Sequence, residues 1–285
     1  MGAVHLPPWV QLLRPRQWVK NAFVLAPLLF AGRFLDPGAV ASAVGAALLF
    51  CLAASAVYVA NDLRDRERDR GHPTKARTRP LAAGTVTPRQ AVGLLILLLA
   101  ALAAGGVLLP EPMPVIAAYL ALNLLYTFHL KEQPVVDIFV VAIGFVLRVY
   151  AGALAIAVPV SGWMFVTTLC LALYLAAVKR RQELLHAGSG ARAVLERYTP
   201  ALVERYAEMS ATGALLFYSL YVVTAQPALV ITIPLVLFGL FRYWYVVEVE
   251  GGGEAPTDVL LSDRPLQLAV AVWVAACAWV IQKGG

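Results

Sequence analysis

Charged side chains are scarce in this sequence. Asp, Glu, Lys and Arg together make up 14% of its 285 residues, whereas apolar residues make up 60%. About a quarter of the residues of a soluble domain are charged. This scarcity excludes an ordinary soluble globular protein, because the apolar surplus is spread along the chain in separate segments and is not one oversized core.

Cysteine is equally rare, with three residues in the whole chain. Cys51, Cys170 and Cys277 lie singly in apolar segments, without the spacing of a disulfide framework or a metal site, so we interpret them as small core residues. The scattered histidines form no metal-binding set. We also find no pattern of a cleavable signal peptide, since no small-residue cleavage site follows the first apolar segment.

The apolar segments are about 17–24 residues long, which is the length an α-helix needs to cross roughly 30 Å of hydrocarbon. They do not alternate with polar residues as the strands of a membrane barrel do. We therefore predict an all-α integral membrane protein with nine transmembrane helices. The predicted spans cover residues 20–35, 38–60, 89–109, 112–130, 135–157, 161–179, 209–225, 228–247 and 266–282.

Basic residues are concentrated in alternate loops. Eight lie between the second and third spans and six between the sixth and seventh, whereas the intervening loops are nearly bare of positive charge. The positive-inside rule predicts a cytoplasmic N-terminus and an external C-terminus in a plasma (inner) membrane. We expect one domain over residues 1–285 with its functional groups facing the cytoplasm. The predicted cytoplasmic loops cover about 61–88, 180–208 and 248–265.

An acidic cluster follows directly from the second span. Asp62, Asp65 and Asp69 have i, i+3, i+7 spacing, so a continuous helix would place their carboxylates on one face. Asn61 adds an amide oxygen. Neighbouring arginines could neutralise these acids in a solvated helix, or Mg²⁺ could, since it prefers hard oxygen ligands and a phosphate partner. Because Asp beside an apolar span is costly and usually functional, we favour the metal site.

Basic side chains surround these acids. A metal-bridged diphosphate needs acids to hold the metal and bases to neutralise the remaining phosphate charge. The candidate phosphate-binding cations are Arg14, Arg16, Lys20, Lys75, Arg77, Arg79, Lys131, Lys179 and Arg181.

Residues 61–69 read Asn-Asp-x-x-Asp-x-x-x-Asp and are followed at 79–84 by Arg-Pro-Leu-Ala-Ala-Gly. This pattern resembles the first aspartate-rich motif of the UbiA superfamily of membrane prenyltransferases. The resemblance implies nine transmembrane helices around a central cavity that opens to the cytoplasmic side, with Mg²⁺ as cofactor. The implied metal ligands are Asp62, Asp65 and Asp69, and with Lys20 they form the expected catalytic set.

The second motif of that superfamily is incomplete here. Its aromatic prenyltransferases have a second Asp-x-x-x-Asp pair, whereas residues 126–137 contain one well-placed acid, Asp137. The departure weakens the case for a prenyl diphosphate donor. Segments that resemble the decaprenyl-phosphate phosphoribosyltransferase branch lie at 14–21, 61–75, 126–137, 143–148 and 179–184.

Enzymes of that branch transfer 5-phosphoribose from phosphoribosyl diphosphate (PRPP) to a polyprenyl phosphate and release diphosphate. This is an early step towards a lipid-linked arabinose donor for cell-envelope polysaccharide. The resemblance implies PRPP, a polyprenyl phosphate and the membrane as partners, without nucleic acid. Two alternatives stay open: a prenyltransferase acting on an aromatic or tetrapyrrole acceptor, and a non-catalytic transporter or lipid-binding protein. The oligomeric state is also open.

Five further side chains are candidate substrate contacts, and several have a structural alternative. Arg148 lies in the middle of a predicted span, where it either contacts substrate or pairs with an acid. The positions at the edges of spans could instead anchor or cap their helices. The five candidates are Asn21, Asn61, Tyr126, Asp137 and Arg148.

Overall fold

The computed structural model describes residues 6–71, 75–185, 193–250 and 256–284, and every regular element within these ranges is helical. This confirms the predicted all-α class. The α-helices are α1 (Pro8–Leu13), α2 (Ala26–Phe30), α3 (Pro37–Arg64), α4 (Arg66–Arg70), α5 (Lys75–Thr78), α6 (Pro80–Ala83), α7 (Pro88–Leu108), α8 (Met113–Phe128), α9 (Val136–Ala155), α10 (Gly162–Leu185), α11 (Pro200–Ala225), α12 (Ile233–Glu248), α13 (Pro256–Ser262) and α14 (Arg264–Gly284). Short 3-10 helices lie at Pro15–Leu25, Leu130–Glu132, Ala193–Arg197 and Pro227–Thr232.

Six helices among the described residues are long and apolar enough to cross a membrane, which indicates a multi-pass membrane protein. They are Pro37–Arg64, Pro88–Leu108, Val136–Ala155, Gly162–Leu185, Pro227–Glu248 and Arg264–Lys283. The other three predicted spans fall on a 3-10 helix that continues into α2, on the 16-residue helix α8, and on α11. The count of nine spans, their orientation and the central cavity stay predictions.

The first helical segment is tied to α3 by a short chain of hydrogen bonds. Arg14 follows α1 with a left-handed backbone (φ 52°, ψ 59°), and its backbone N–H donates to the Gln11 carbonyl oxygen at 3.1 Å. Trp18 Nε1 donates to Ser55 Oγ at 3.0 Å, and Ser55 Oγ donates to the Leu13 carbonyl oxygen at 3.0 Å. These bonds place the Arg14 bend beside the last turns of α3.

Helix α3 begins at a capped proline and ends where the chain leaves the bundle. The Asp36 carboxylate accepts hydrogen bonds from the first backbone N–H groups. At the other end, the helix stops at Arg64, and Asp65 (ψ 2°) separates it from α4. The expected continuous helix with three acids on one face is therefore wrong. Beyond the membrane edge no apolar face keeps the helix straight, so the chain bends and returns Asp69 towards Asp62.

Gly152 of α9 marks a close approach to the Pro15–Leu25 segment. A Cβ at this position would lie 1.8 Å from the Val24 carbonyl oxygen. We expect Gly152→Ala to lower the free energy of unfolding by about 1–3 kcal/mol, the usual cost of overpacking. Thermal unfolding in detergent measures the effect. Gly93→Ala is the matched control, because a Cβ there meets nothing within 4 Å; equal effects of the two variants would contradict the prediction.

Candidate functional site

The acidic cluster is organised around Asp62, which is 3% exposed. Its Oδ1 accepts hydrogen bonds from Arg14 Nη2 at 2.6 Å and from Arg79 Nη1 at 3.1 Å. The same Arg79 nitrogen also contacts Asp69, which is equally buried. Two acids that are seven residues apart in sequence thus converge on one guanidinium nitrogen.

Apolar burial sets the positions of the two arginines. Arg79 has an extended backbone before Pro80, as residues that precede proline usually do. The next turn buries Leu81 in one cluster with Leu12 and Val59. Because Leu81 and Leu12 lie close to the two arginines in sequence, this cluster anchors both guanidinium groups at the end of α3.

The neighbouring polar residues of α3 face a different helix. Asp65 accepts a hydrogen bond from Lys131 Nζ at 3.1 Å. Asn61 Oδ1 accepts a hydrogen bond from the hydroxyl of Thr127, a buried residue at the end of α8. The predicted site residues Asp65 and Lys131 are thus brought together, and Asn61 contacts Thr127; these two pairs connect the end of α3 to the end of α8 and the 3-10 helix that follows it.

The fit of this cluster to Mg²⁺ depends on two acids. Within the described ranges, no group of three or more His, Cys, Asp and Glu side chains could hold a metal ion. The carboxylates of Asp62 and Asp69 both contact Arg79 Nη1, so the two acids already bind one cationic group together. Mg²⁺ is commonly bound by one or two carboxylates while substrate phosphates supply further ligands. The pair therefore fits a Mg²⁺-diphosphate, and a third ligand from Asp65 stays a prediction.

Lys20 and Asn21 lie on the Pro15–Leu25 segment, where Asn21 is buried and Lys20 half-buried. Asn21 Oδ1 accepts a hydrogen bond from Arg148 Nε at 2.8 Å. Lys20 is within electrostatic reach of Arg14 and Arg148 as well as Lys179. These predicted residues therefore form a basic region next to the acid cluster.

Asp137 has no exposed surface and belongs to a buried network. Its Oδ2 lies 2.6 Å from Arg180 Nη2, and its Oδ1 accepts a hydrogen bond from the Tyr198 hydroxyl at 2.7 Å. Arg180 also pairs with Glu183 and hydrogen-bonds Tyr126. Burial raises the pKa of Tyr198, which keeps this hydroxyl protonated as a donor. Asp137 is therefore held by Arg180 and Tyr198, and Tyr126 belongs to the same network; the substrate contacts of Asp137 and Tyr126 stay predictions.

Two more predicted cations have acidic partners. Arg181 is bound by Glu248, with Nη2 donating to Oε2 at 3.2 Å, and lies 3.6 Å from Glu204. Lys179 lies 3.7 Å from Glu183 in an i, i+4 pair and is about two-fifths exposed. Arg181 therefore links α10 to α11 and α12, whereas Lys179 has only a weak surface pair.

The described part of the structure assigns no partner role to the remaining three predicted cations. Arg16 and Arg77 are exposed to solvent, and the side chain of Lys75 lies outside the described residues. The structure thus brings Arg14, Arg79, Asp62 and Asp69 into one cluster and leaves these three unassigned.

Several participants were not predicted from the sequence. Thr127 is the partner of Asn61, Arg180 and Tyr198 enclose Asp137, and the Tyr58 ring centroid lies 5.0 Å from the Arg14 guanidinium carbon. One sequence feature pointed to Arg180 as a functional residue: it lies within the basic run 179–181. No sequence feature pointed to the other three. Tyr58 and Thr127 lie in apolar helices, where aromatic and hydroxyl residues are usually structural, and Tyr198 is a single tyrosine just before α11.

Similar proteins share this architecture. The model described as the UbiA prenyltransferase family matches residues 22–256. A UbiA homolog from Archaeoglobus fulgidus bound to GPP and Mg²⁺ has a TM-score of 0.75 over 96% of this chain and 99% of that chain, at 19% sequence identity. At that identity, the likeness concerns the fold.

Two relatives are much more similar in sequence. Decaprenyl-phosphate phosphoribosyltransferase of Mycobacterium tuberculosis is 39% identical over 287 residues, which cover 96% of this chain and 94% of that protein. The protein of the same name from Corynebacterium glutamicum is 38% identical over 283 residues, which cover 93% of this chain and 84% of that protein. The likeness therefore extends over most of the length of each relative.

Proposed function

This chain belongs to the UbiA prenyltransferase family, and we propose that it transfers 5-phosphoribose from PRPP to a polyprenyl phosphate of the decaprenyl type. The observation that supports this most is its identity of 38–39%, over most of their length, to relatives named decaprenyl-phosphate phosphoribosyltransferase. The product is a precursor of a lipid-linked arabinose donor for cell-envelope polysaccharide.

The diphosphate of PRPP binds at the acid cluster. Asp62 and Asp69 hold Mg²⁺, with Asp65 as a further proposed ligand. When bound, the metal neutralises charge that develops on the leaving diphosphate. Arg14 and Arg79, which now contact the carboxylates, are placed to donate charge-assisted hydrogen bonds to phosphate oxygens.

The reaction exchanges one bond at carbon 1 of the ribose. The bond from carbon 1 to the diphosphate oxygen breaks, the ribose becomes oxocarbenium-like, and a phosphate oxygen of the lipid attacks from the opposite face. This nucleophile is already anionic, so a strong general base is not required. The chain must instead lower the repulsion between two polyanions, which costs several kcal/mol without cations. Cations proposed for this role are Arg16, Lys20, Lys75, Arg77, Lys131, Lys179 and Arg181.

The charge pattern supports a cytoplasmic site in the plasma membrane. The acid cluster lies at the C-terminal end of α3 beside the loop with eight basic residues, on the side that the positive-inside rule assigns to the cytoplasm. Water-soluble PRPP enters from that side, and the polyprenyl chain enters between helices from the lipid. We propose nine spans in one domain, with the N-terminus in the cytoplasm.

Radiolabelled PRPP tests the proposal. Membranes that contain the protein should transfer label from the ribose of PRPP into a lipid-extractable product only when polyprenyl phosphate is added. Membranes without the protein provide the background. Label that enters product only from an isoprenyl diphosphate would identify a prenyltransferase, and a transporter would form no covalent product; either result would overturn the proposal.

A further inference from the structure

Arg148 is a buried cation without an acidic partner in the described part of the chain. It is 5% exposed near the middle of α9. Its Nε donates to Asn21 Oδ1 at 2.8 Å, Nη1 to the Gly144 carbonyl oxygen at 2.7 Å, and Nη2 to the Tyr119 hydroxyl at 3.4 Å. All three acceptors are neutral. Each of the three nitrogens has one hydrogen-bond partner, but the positive charge is not balanced.

Aromatic rings surround the same guanidinium group. Its carbon lies 4.8 Å from the ring centroid of Phe50, 4.9 Å from that of Tyr119 and 5.4 Å from that of Phe145. Cation–π contacts offset part of the cost of desolvating a charge, but burying an ion without a counter-ion stays unfavourable. The rings also hold the guanidinium in a defined orientation.

A second cation lies near Arg148. Lys20 is within electrostatic reach of Arg148, Arg14 and Lys179, and the opposing acid that acts on it is Asp258. Like charges held together in a low-dielectric region repel each other strongly. An anion between Lys20 and Arg148 would remove this repulsion.

The guanidinium retains hydrogen-bonding capacity for such an anion. Arg has five N–H donors, and the three bonds described above use one N–H on each nitrogen. One N–H on each terminal nitrogen has no partner among the described atoms. A guanidinium group with two donors left is suited to a phosphate.

This position is separate from the acid cluster. Asn21 Nδ2 donates to Cys51 Sγ at 3.1 Å, and Cys51 precedes Asp62 by eleven residues on α3. At 1.5 Å per residue, the backbones of Cys51 and Asp62 are roughly 16 Å apart along the helix; the long side chains span part of this distance, since Lys20 is within electrostatic reach of both Arg14 and Arg148. A diphosphate held at Asp62 and Asp69 therefore does not account for the buried charge at Arg148.

We propose that Arg148, oriented by Asn21, binds a phosphate monoester in a second subsite that needs no metal. The inference rests on the proposed function, since each substrate there carries one phosphate monoester: the 5-phosphate of PRPP and the phosphate of the lipid. Along α3, the subsite lies closer to the membrane interior than the acid cluster does. It binds one of these two phosphate groups.

Binding in the presence of EDTA tests this subsite with ribose 5-phosphate and farnesyl phosphate as separate probes. At least one probe should raise the thermal midpoint of the purified full-length protein, and the probe that does so identifies the substrate concerned. Arg148→Met should weaken its binding roughly 10- to 100-fold, since a hydrogen-bonded charge is lost. Arg70→Met, at an exposed cation paired with Glu67, should bind it as the wild type does.

A second variant separates binding from folding. Asn21→Asp keeps the shape of the side chain and supplies the missing counter-ion, so it should raise the thermal midpoint while weakening probe binding at least about tenfold. A purely structural Arg148 would predict unchanged probe binding in this variant. Unchanged binding, or a wild-type protein that neither probe stabilises, overturns the subsite.

The assay of label transfer from PRPP distinguishes failure of the proposed function from failure of the Arg148 subsite. A wild-type protein that forms no lipid product from PRPP would remove the proposed function. A wild-type protein that forms product, with Asn21→Asp showing unchanged KM values for both PRPP and polyprenyl phosphate, would remove only the Arg148 subsite.

Discussion

Replacement of Asp62 by alanine should lower kcat/KM for phosphoribosyl transfer by at least about 10³-fold, since one well-placed electrostatic group alone is worth about 10²–10³. Asp62 is the buried carboxylate on which Arg14 and Arg79 converge. Its removal leaves Asp69 alone to hold Mg²⁺ and leaves two guanidinium groups without their shared partner. The rate of label transfer from PRPP to lipid measures the effect.

Glu67→Ala is the control for this substitution. Glu67 lies in the same charged run, but its side chain is 75% exposed and pairs with Arg70 on the surface, so activity should stay within about twofold. The thermal midpoint of Asp62→Ala shows whether the protein is folded. Near-normal activity in a folded Asp62→Ala protein would remove the metal assignment.

EDTA and Asp65→Ala extend the same test. EDTA should abolish label transfer by the wild type, and added Mg²⁺ should restore it. Asp65 contacts Lys131, whereas Asp62 contacts Arg79. We therefore expect the Asp65→Ala variant to lose less activity than the Asp62→Ala variant. Equal losses would make Asp65 as important as Asp62 for the metal, as the sequence motif implies.

Asp137→Ala should lower the free energy of unfolding by about 3 kcal/mol or more, because removal of one partner leaves a buried charge uncompensated. Arg180 is 5% exposed, and among the described residues it would keep only Glu183 as an acidic partner. The Tyr198 hydroxyl would lose its acceptor as well. Unfolding of the purified protein in detergent, followed by circular dichroism, measures the change.

Two comparisons decide between a structural and a substrate-binding role of Asp137. Glu111→Ala, at an exposed acid in the α7–α8 loop, should leave stability nearly unchanged. Tyr198→Phe removes one hydrogen bond and should cost about 1 kcal/mol. If Asp137→Ala kept full stability and raised the KM for PRPP, that result would contradict the structural role and support the substrate contact expected from sequence.

Local features of the sequence determined the helical class and the place of the candidate site. Hydropathy predicted spans such as 38–60 and 135–157, and helices lie at Pro37–Arg64 and Val136–Ala155. The length of an apolar run and its capping residues act within a few turns, so they can be read from adjacent positions. The motif at 61–69 depends equally on neighbouring residues, and it led to Asp62 and Asp69.

The tertiary structure alone decided which partner each charged residue has. Arg14 lies 48 residues before Asp62, and Asn21 lies 127 residues before Arg148. No local pattern encodes such pairs, because they depend on how separate helices pack. The same packing placed Asp137 against Arg180, left Arg148 without an acid in the described ranges, and bent the chain at Asp65 so that two acids share Arg79. The sequence by itself identified the charged residues, and through-space contacts assigned their roles.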